Sequence, residues 1–189
     1  MDALTLLTAD HNRVRGLFTR FKTAHEADDQ TTAAELATKI FTELEVHTTI
    51  EEVVFYPAID GVGDQVHELV IESLEEHKVA KNLMTEASAL PPEDEHWAAK
   101  ITVLIENVEH HAEEEEKEMW PLLRKGMTSE QLESLANMLE AKKAELGAPT
   151  LADKIDLTKA ELAEKAKEQE IPGRSSMDHE VLAATVAPD

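Results

Sequence analysis

Apolar residues recur at helical spacing from the start of the chain. Leu4, Leu7, Val14, Phe18 and Phe21 form a first stripe with His11 in phase. After the Asp28-Asp29-Gln30-Thr31 break, Leu36, Ile40, Leu44 and Val54 form a second, which carries His47 and Glu51. Gly61 and Gly63 mark a loop. A third stripe follows, made of Val66, Val70, Leu74, Met84 and Ala87 with His77 in phase, and Pro91-Pro92 ends it. The fourth has Trp97, Ile101, Leu104, Val108 and Leu122, with His111 and Glu115 in phase. Four helices of roughly 20–28 residues joined by short loops predict an all-α, antiparallel up-down four-helix bundle.

Beyond Gly126 the pattern weakens. Thr128 with Gln131 is a capping box, and Leu132, Leu135 and Leu139 predict a fifth helix ending near Gly147. The expected organisation is a bundle with its fifth helix over 1–146, a linker over 147–155, and a short helical tail over 156–189. In that tail, Thr158 with Glu161 caps a helix to about Gln169, and the Ile171–Ser176 loop leads to a last short helix. Such a tail is too small to build much core alone.

Composition narrows the chemistry. The 189 residues hold 40 Asp and Glu against 18 Lys and Arg, a net charge of −22, which argues against nucleic acid or anionic membrane as a main partner. An apolar content of 42% separates the chain from disordered acidic tails. The absence of cysteine removes disulfides, zinc–thiolate sites, iron–sulfur clusters and thiol catalysis. Met1–Asp10 lacks the cationic and apolar regions of a signal peptide, and no run approaches the ~18 apolar residues of a membrane span. A cytoplasmic protein is the expectation.

The chain repeats itself. Asp10-His11 with Arg15, Leu17 and Phe18 matches Glu76-His77 with Lys81, Leu83 and Met84 in register. His47-x-x-x-Glu51 matches His111-x-x-x-Glu115, and both continue to an aromatic-proline pair, Tyr56-Pro57 and Trp120-Pro121. The first His lies 36 residues before the second in one copy and 34 in the other. Each copy is a helical hairpin reading His, then His-x-x-x-Glu.

Residues i and i+4 lie one above the other on a helix, so each His-x-x-x-Glu pair reaches one point in space. Both pairs continue an apolar stripe and therefore point into the bundle. Burying two carboxylates and four imidazoles without partners is costly. A metal pair resolves that cost, with each Glu able to bridge two ions; imidazole and carboxylate without thiolate suit iron, and less specifically manganese or zinc. His110 and Glu114 also have i+4 spacing, but the repeat anchored at Pro121 and the phase of Ile101, Leu104 and Val108 select His111 and Glu115. His110 is expected to be exposed or behind the ligands, and His25, His67, His96 and His179 at the surface. Arg15 and Lys81, one turn after their histidines, are expected to be solvated or paired with acids. The tandem Glu-x-x-His of ferritin-like proteins, His-Glu-x-x-His, a phosphate loop and a Gly-x-Ser-x-Gly elbow are absent.

His11, His47-x-x-x-Glu51, His77 and His111-x-x-x-Glu115 resemble the haemerythrin-like HHE cation-binding family over residues 1–126. The resemblance implies a four-helix bundle around two iron ions, oxo- or hydroxo-bridged, with those six residues as ligands and the two Glu as bridges. Unlike the oxygen-carrying members, this chain has Lys81 where a fifth His would stand. Of about twelve positions on two six-coordinate irons, about two then remain open to an exogenous ligand. The implied function is binding or reaction with dioxygen, peroxide or nitric oxide, with catalase-like peroxide detoxification in oxidative stress favoured. The alternative is a non-catalytic oxygen or redox sensor, or an iron-binding module.

Tyr56 closes the first repeat where Trp120 closes the second. On an unbroken helix it lies about 180° from His47; if the helix loosens before Pro57, its phenol approaches the metal as ligand or near neighbour. The tail, from Leu157-Thr158 through Pro172-Gly173-Arg174-Ser175, is similar to small Rho N-terminal or SAP-like modules. Its acidic balance makes it a docking element or the contact for a protein partner.

Overall fold

A computed structural model of the chain describes residues 1–150 and 157–186. The described residues are helical and contain no strand. Helix α1 (Ala3–Glu26) is capped by Asp2, whose side chain accepts from the Thr5 amide. Asp29 caps α2 (Gln30–Ile50) through the Thr32 amide, and Asp94 caps α4 (Glu95–Glu114) through that of His96. Between them lies α3 (Asp64–Ser88). Helices α1 and α2 pack along one another, as do α3 and α4, giving the expected antiparallel bundle.

Neither α2 nor α4 stops where its regular turns end. Each runs into a π-helical turn, Glu51–Phe55 and Glu115–Met119, and then a further α-turn, Tyr56–Ile59 and Trp120–Gly126. The amides of Tyr56 and Trp120 reach five residues back, to the carbonyls of Glu51 and Glu115. The cause lies one residue on. Pro57 and Pro121 have no N–H, and a proline ring crowds the carbonyl four residues before it; widening the turn moves that carbonyl aside. Five residues then cover what four cover in an α-helix.

Helix α5 (Ser129–Glu145) starts on the expected capping box of Thr128 and Gln131. It packs on α1 and on the π turn after α2, adding Leu132, Leu135 and Leu139 to the cluster of Leu4, Leu7, Phe55 and Ile59. Gly147, at φ +71°, takes the left-handed conformation that ends this helix. Of the expected linker 147–155, residues 151–155 lie outside the described residues.

Residues 157–186 form their own small cluster. Helix α6 (Lys159–Glu168), a 3₁₀ turn (Arg174–Ser176) and α7 (His179–Thr185) enclose Leu162, Ala166, Ile171 and Leu182. This module is docked on α1. At Gly16 a Cβ would lie 2.5 Å from the Gln169 carbonyl oxygen, so only glycine allows this approach. The Met1 amino group adds an ion pair of 3.2 Å to Glu180. No helix of the described residues is long and apolar enough to cross a membrane.

The order of buried residues along α1 locates the functional layer. Leu4 and Leu7 belong to one apolar cluster, Val14 and Phe18 to another, and His11 lies between them.

Candidate metal centre

The six residues selected by spacing converge in that layer. His11, His47, Glu51 and Glu115 form one group of ligand atoms within 4.8 Å of one another, and Glu51, His77 and His111 form a second. All six are buried, Glu51 fully. The Nε2 atoms of His11 and His47 are 3.1 Å apart, as are those of His77 and His111. Glu51 Oε2 spans the two groups, at 3.3 Å from His47 Nε2 and 3.4 Å from His77 Nε2. Glu115 Oε2 does the same, at 3.4 Å from His11 and 3.9 Å from His111.

The other imidazole nitrogens face outward to carboxylates. His11 Nδ1 meets Glu116 Oε1 at 2.8 Å, His77 Nδ1 meets Glu52 Oε1 at 2.9 Å, and His111 Nδ1 meets Glu76 Oε2 at 2.8 Å. His47 Nδ1 faces Asp10 Oδ2 at 3.8 Å. Behind these acids, Arg15 donates to Glu116 at 2.9 Å and Lys81 to Glu52 at 2.6 Å. The duplication is therefore three layers deep: Glu52 and Glu116 correspond, as do Asp10 and Glu76, and Arg15 and Lys81. Carboxylates behind imidazoles fix ring orientation and raise ligand basicity.

This geometry tests whether cations fit. A carboxylate only accepts, so His77 and His111 each carry their hydrogen on Nδ1. Neutral His77 then presents a bare Nε2 lone pair toward His111 Nε2 at 3.1 Å. Both oxygens of Glu51 and Oε2 of Glu115 are buried without a hydrogen-bond partner among the described residues. Converging imidazole nitrogens and three orphaned carboxylate oxygens are a donor set that suits a cation. The residues fit a metal site.

Electrostatics agree. Burial and the neighbouring Glu115 hold Glu51 well above the usual carboxylate range. Burial opposes ionisation of Glu115 too, but the imidazoles of His111 and His11 bring it down to about 2. Burial drives His47 down to about 4 and His77 to about 2, so both are neutral and able to coordinate. His11 is raised, because Glu115 and Glu116 outweigh its burial.

The π turn brings Tyr56 into the site. Its hydroxyl donates 3.0 Å to Glu115 Oε1 and lies 3.4 Å from His77 Nε2. Burial and Glu115 raise the phenol well above its ordinary range, so it holds its proton. Trp120, its counterpart, stacks 6.3 Å from His11 and donates from Nε1 to Thr8 Oγ1 at 3.0 Å. The two halves are thus chemically unequal. A void of about 10 Å³ lies beside His11 and His47, lined by Val14, Phe18, Leu44, Val108 and Ala112 together with Arg15 and Glu109.

Glu116, next to Glu115 in the Glu113–Glu116 run, turns to His11 Nδ1 instead of facing solvent. The carboxylates behind the imidazoles went unassigned in the sequence, although their recurrence in register was a usable signal. His110 is 61% exposed and reaches Glu114 at 3.5 Å and Glu76 at 3.8 Å, outside the buried layer.

Fold and site together define a cation-binding four-helix bundle. The chain matches the Hemerythrin HHE cation binding domain over residues 2–123 and belongs to that family. It is similar to a DNA nickase of Nostoc sp., 27% identical over 77% of this chain and 40% of the relative. It is also similar to an uncharacterized hemerythrin-like protein of Schizosaccharomyces pombe, 24% identical over 71% of this chain and 65% of the relative. The chain thus spans less than two thirds of the length of either relative. No solved structure matches it at a significant level.

Proposed function

We propose that the chain is a di-iron protein that decomposes peroxide, with His11, His47, Glu51 and Glu115 holding one ion and His77, His111, Glu51 and Glu115 the other. The chemistry is disproportionation of two peroxides to dioxygen and two waters, which consumes no external reductant. Iron, when bound, supplies Lewis acidity and reversible one-electron redox chemistry. The protein supplies the rest. Four imidazoles are held in place by the bundle, and apolar clusters on both sides exclude bulk water. Tyr56 keeps a proton at its hydroxyl, aimed at Glu115 and one hydrogen-bond length from the ligand atoms.

The observation that carries this reading is the void beside His11 and His47. At about 10 Å³ it has room for about one molecule of water size, and Arg15 and Glu109 join the apolar side chains that line it. A larger organic substrate is excluded, and peroxide, dioxygen and nitric oxide are the candidate ligands nearest to water in size. Peroxide is favoured among them because Tyr56 offers a proton donor at the buried layer. Gas evolution from peroxide by the iron-loaded protein tests the reading. Inert protein that binds dioxygen reversibly would replace it with an oxygen-sensing or iron-binding role.

The DNA-nicking activity of the Nostoc relative does not carry over on these residues. A charge of −22 repels a phosphate backbone, and the match leaves most of that relative uncovered. Incubation with supercoiled plasmid and Mg²⁺ is expected to leave it unnicked.

A further inference from the structure

His47 is the one candidate ligand of the four whose Nδ1 has no hydrogen-bond partner among the described residues. By the repeat, Asp10 should serve it as Glu76 serves His111, yet Asp10 Oδ2 stands 3.8 Å off. Asp10 is drawn the other way. Lys143 Nζ lies 2.7 and 2.6 Å from its two oxygens, and Arg13 Nη2 donates to Oδ1. Both cations are buried, Lys143 at 4% and Arg13 at 7% exposure. The second half has no such pull on its acid: Val79 stands where Arg13 stands in the first, and Glu76 faces exposed His110.

Arg13 is anchored from the C-terminal module. Its Nη1 donates 2.6 Å to the Ala184 carbonyl in α7, and its Nε donates 2.9 Å to Glu43. One turn along α1, Gly16 lets the module's Gln169 carbonyl and Ile171 side chain close on the helix. The module therefore supplies one of the three contacts that place the guanidinium, and the guanidinium shares Asp10 with His47.

We propose that the docked C-terminal module tunes the His11–His47 half of the metal centre through Arg13 and Asp10, with Asp10 as the positioning residue of His47. The proposal rests on the metal-binding reading above. With the module docked, Asp10 is held off His47 and the imidazole is loosely oriented. With the module displaced, Arg13 loses Ala184 and is drawn to Glu43, so that Lys143 alone holds Asp10 and the carboxylate moves toward Nδ1. A carboxylate on the far nitrogen makes His47 a stronger ligand. Undocking thus tightens one ion and leaves the other unchanged.

Release of Zn²⁺ from the loaded full-length protein into excess chelator tests this, with metal content measured beforehand. Two substitutions are expected to slow one of two release phases by about tenfold. Gly16→Leu suits α1 but forces the module away, which limited proteolysis within residues 157–186 monitors. Asp10→Glu copies Glu76 and lengthens the reach to His47. Asp10→Asn removes the carboxylate that Arg13 and Lys143 share beside His47, and is expected to speed the same phase by a similar factor. In the diamagnetic Zn²⁺ protein, the His47 Nδ1 proton moves downfield in the two slowed variants. A merely structural module predicts the opposite sign, faster release in Gly16→Leu. That result, or release unchanged in Gly16→Leu and Asp10→Glu, overturns the proposal while leaving metal binding intact. Wild-type protein that takes up no metal overturns the metal reading itself, and this proposal with it.

Discussion

The Tyr56 hydroxyl donates 3.0 Å to Glu115 Oε1 from a helix position nine residues after His47, which an unbroken α-helix would turn to the opposite face. The π turn at Glu51–Phe55 makes the difference, setting Tyr56 one turn beyond Glu51 on the same face. Trp120 undergoes the same rotation in the second copy but packs against His11 and donates to Thr8. One duplicated backbone device therefore delivers a proton donor to one side of the site and an apolar wall to the other.

Tyr56→Phe is expected to keep the metal and lose function. Loss of the buried donor leaves Glu115 Oε1 without its partner and costs the metal-free protein about 1–3 kcal/mol. Peroxide turnover of the iron-loaded variant falls by about 10²-fold if the phenol moves protons, at unchanged metal content. Initial rates of oxygen evolution, normalised to iron, check this.

Glu51→Gln is expected to separate stability from binding. Both oxygens of Glu51 are buried and unpaired without metal, so neutralising the side chain relieves the metal-free fold. A gain of about 1 kcal/mol raises the melting temperature by about 2–4 °C in a chain of this size. The variant also loses the stabilisation that added metal gives the wild type. Paired melting curves with and without metal read both effects.

In the Glu51→Gln background the metal-free protein is expected to lose stability on acidification. Burial holds His47 at about 4 and His77 at about 2, below the ordinary 6.5, so the unfolded chain binds protons that the folded chain refuses. Stability is full above pH 6.5 and falls as pH drops toward those folded values. Wild-type Glu51 acts in the opposite sense. Its folded value is raised above 4.5, so its contribution is present at low pH and is lost as pH rises through the folded value. Denaturant midpoints across pH should therefore slope more steeply upward in the variant than in the wild type.

Lys143→Met is expected to cost about 3 kcal/mol. Asp10 is fully buried, and Lys143 and Arg13 together hold its carboxyl well below the usual range against the effect of burial. Removing one of the two cations leaves a buried charge half compensated. Urea unfolding of the metal-free variant measures the loss, and Asp10→Asn in the same chain should recover part of it.

Much of this is legible in the amino-acid sequence. Periodicity places the helices because each buries one face, and the repeat selects the six buried His and Glu because a duplicated hairpin must duplicate its interior. The π turns are legible only as a condition attached to Pro57, since hydrophobic spacing does not say which turn absorbs an extra residue. Glu116 is hidden in a run of four glutamates, where local pattern cannot tell an imidazole partner from a solvated side chain. Arg13 reads as an ordinary helix arginine. Its burial comes from Ala184, 171 residues away, and no local pattern reports a contact of that range.

The pair of ions proposed for the six converging side chains is tested most directly by metal analysis of iron-loaded protein, together with its absorption spectrum. About two irons per chain are expected in the wild type, with loss of metal in His47→Ala and Glu115→Ala. Protein that folds but holds no metal, or variants that keep the full amount, would contradict the assignment.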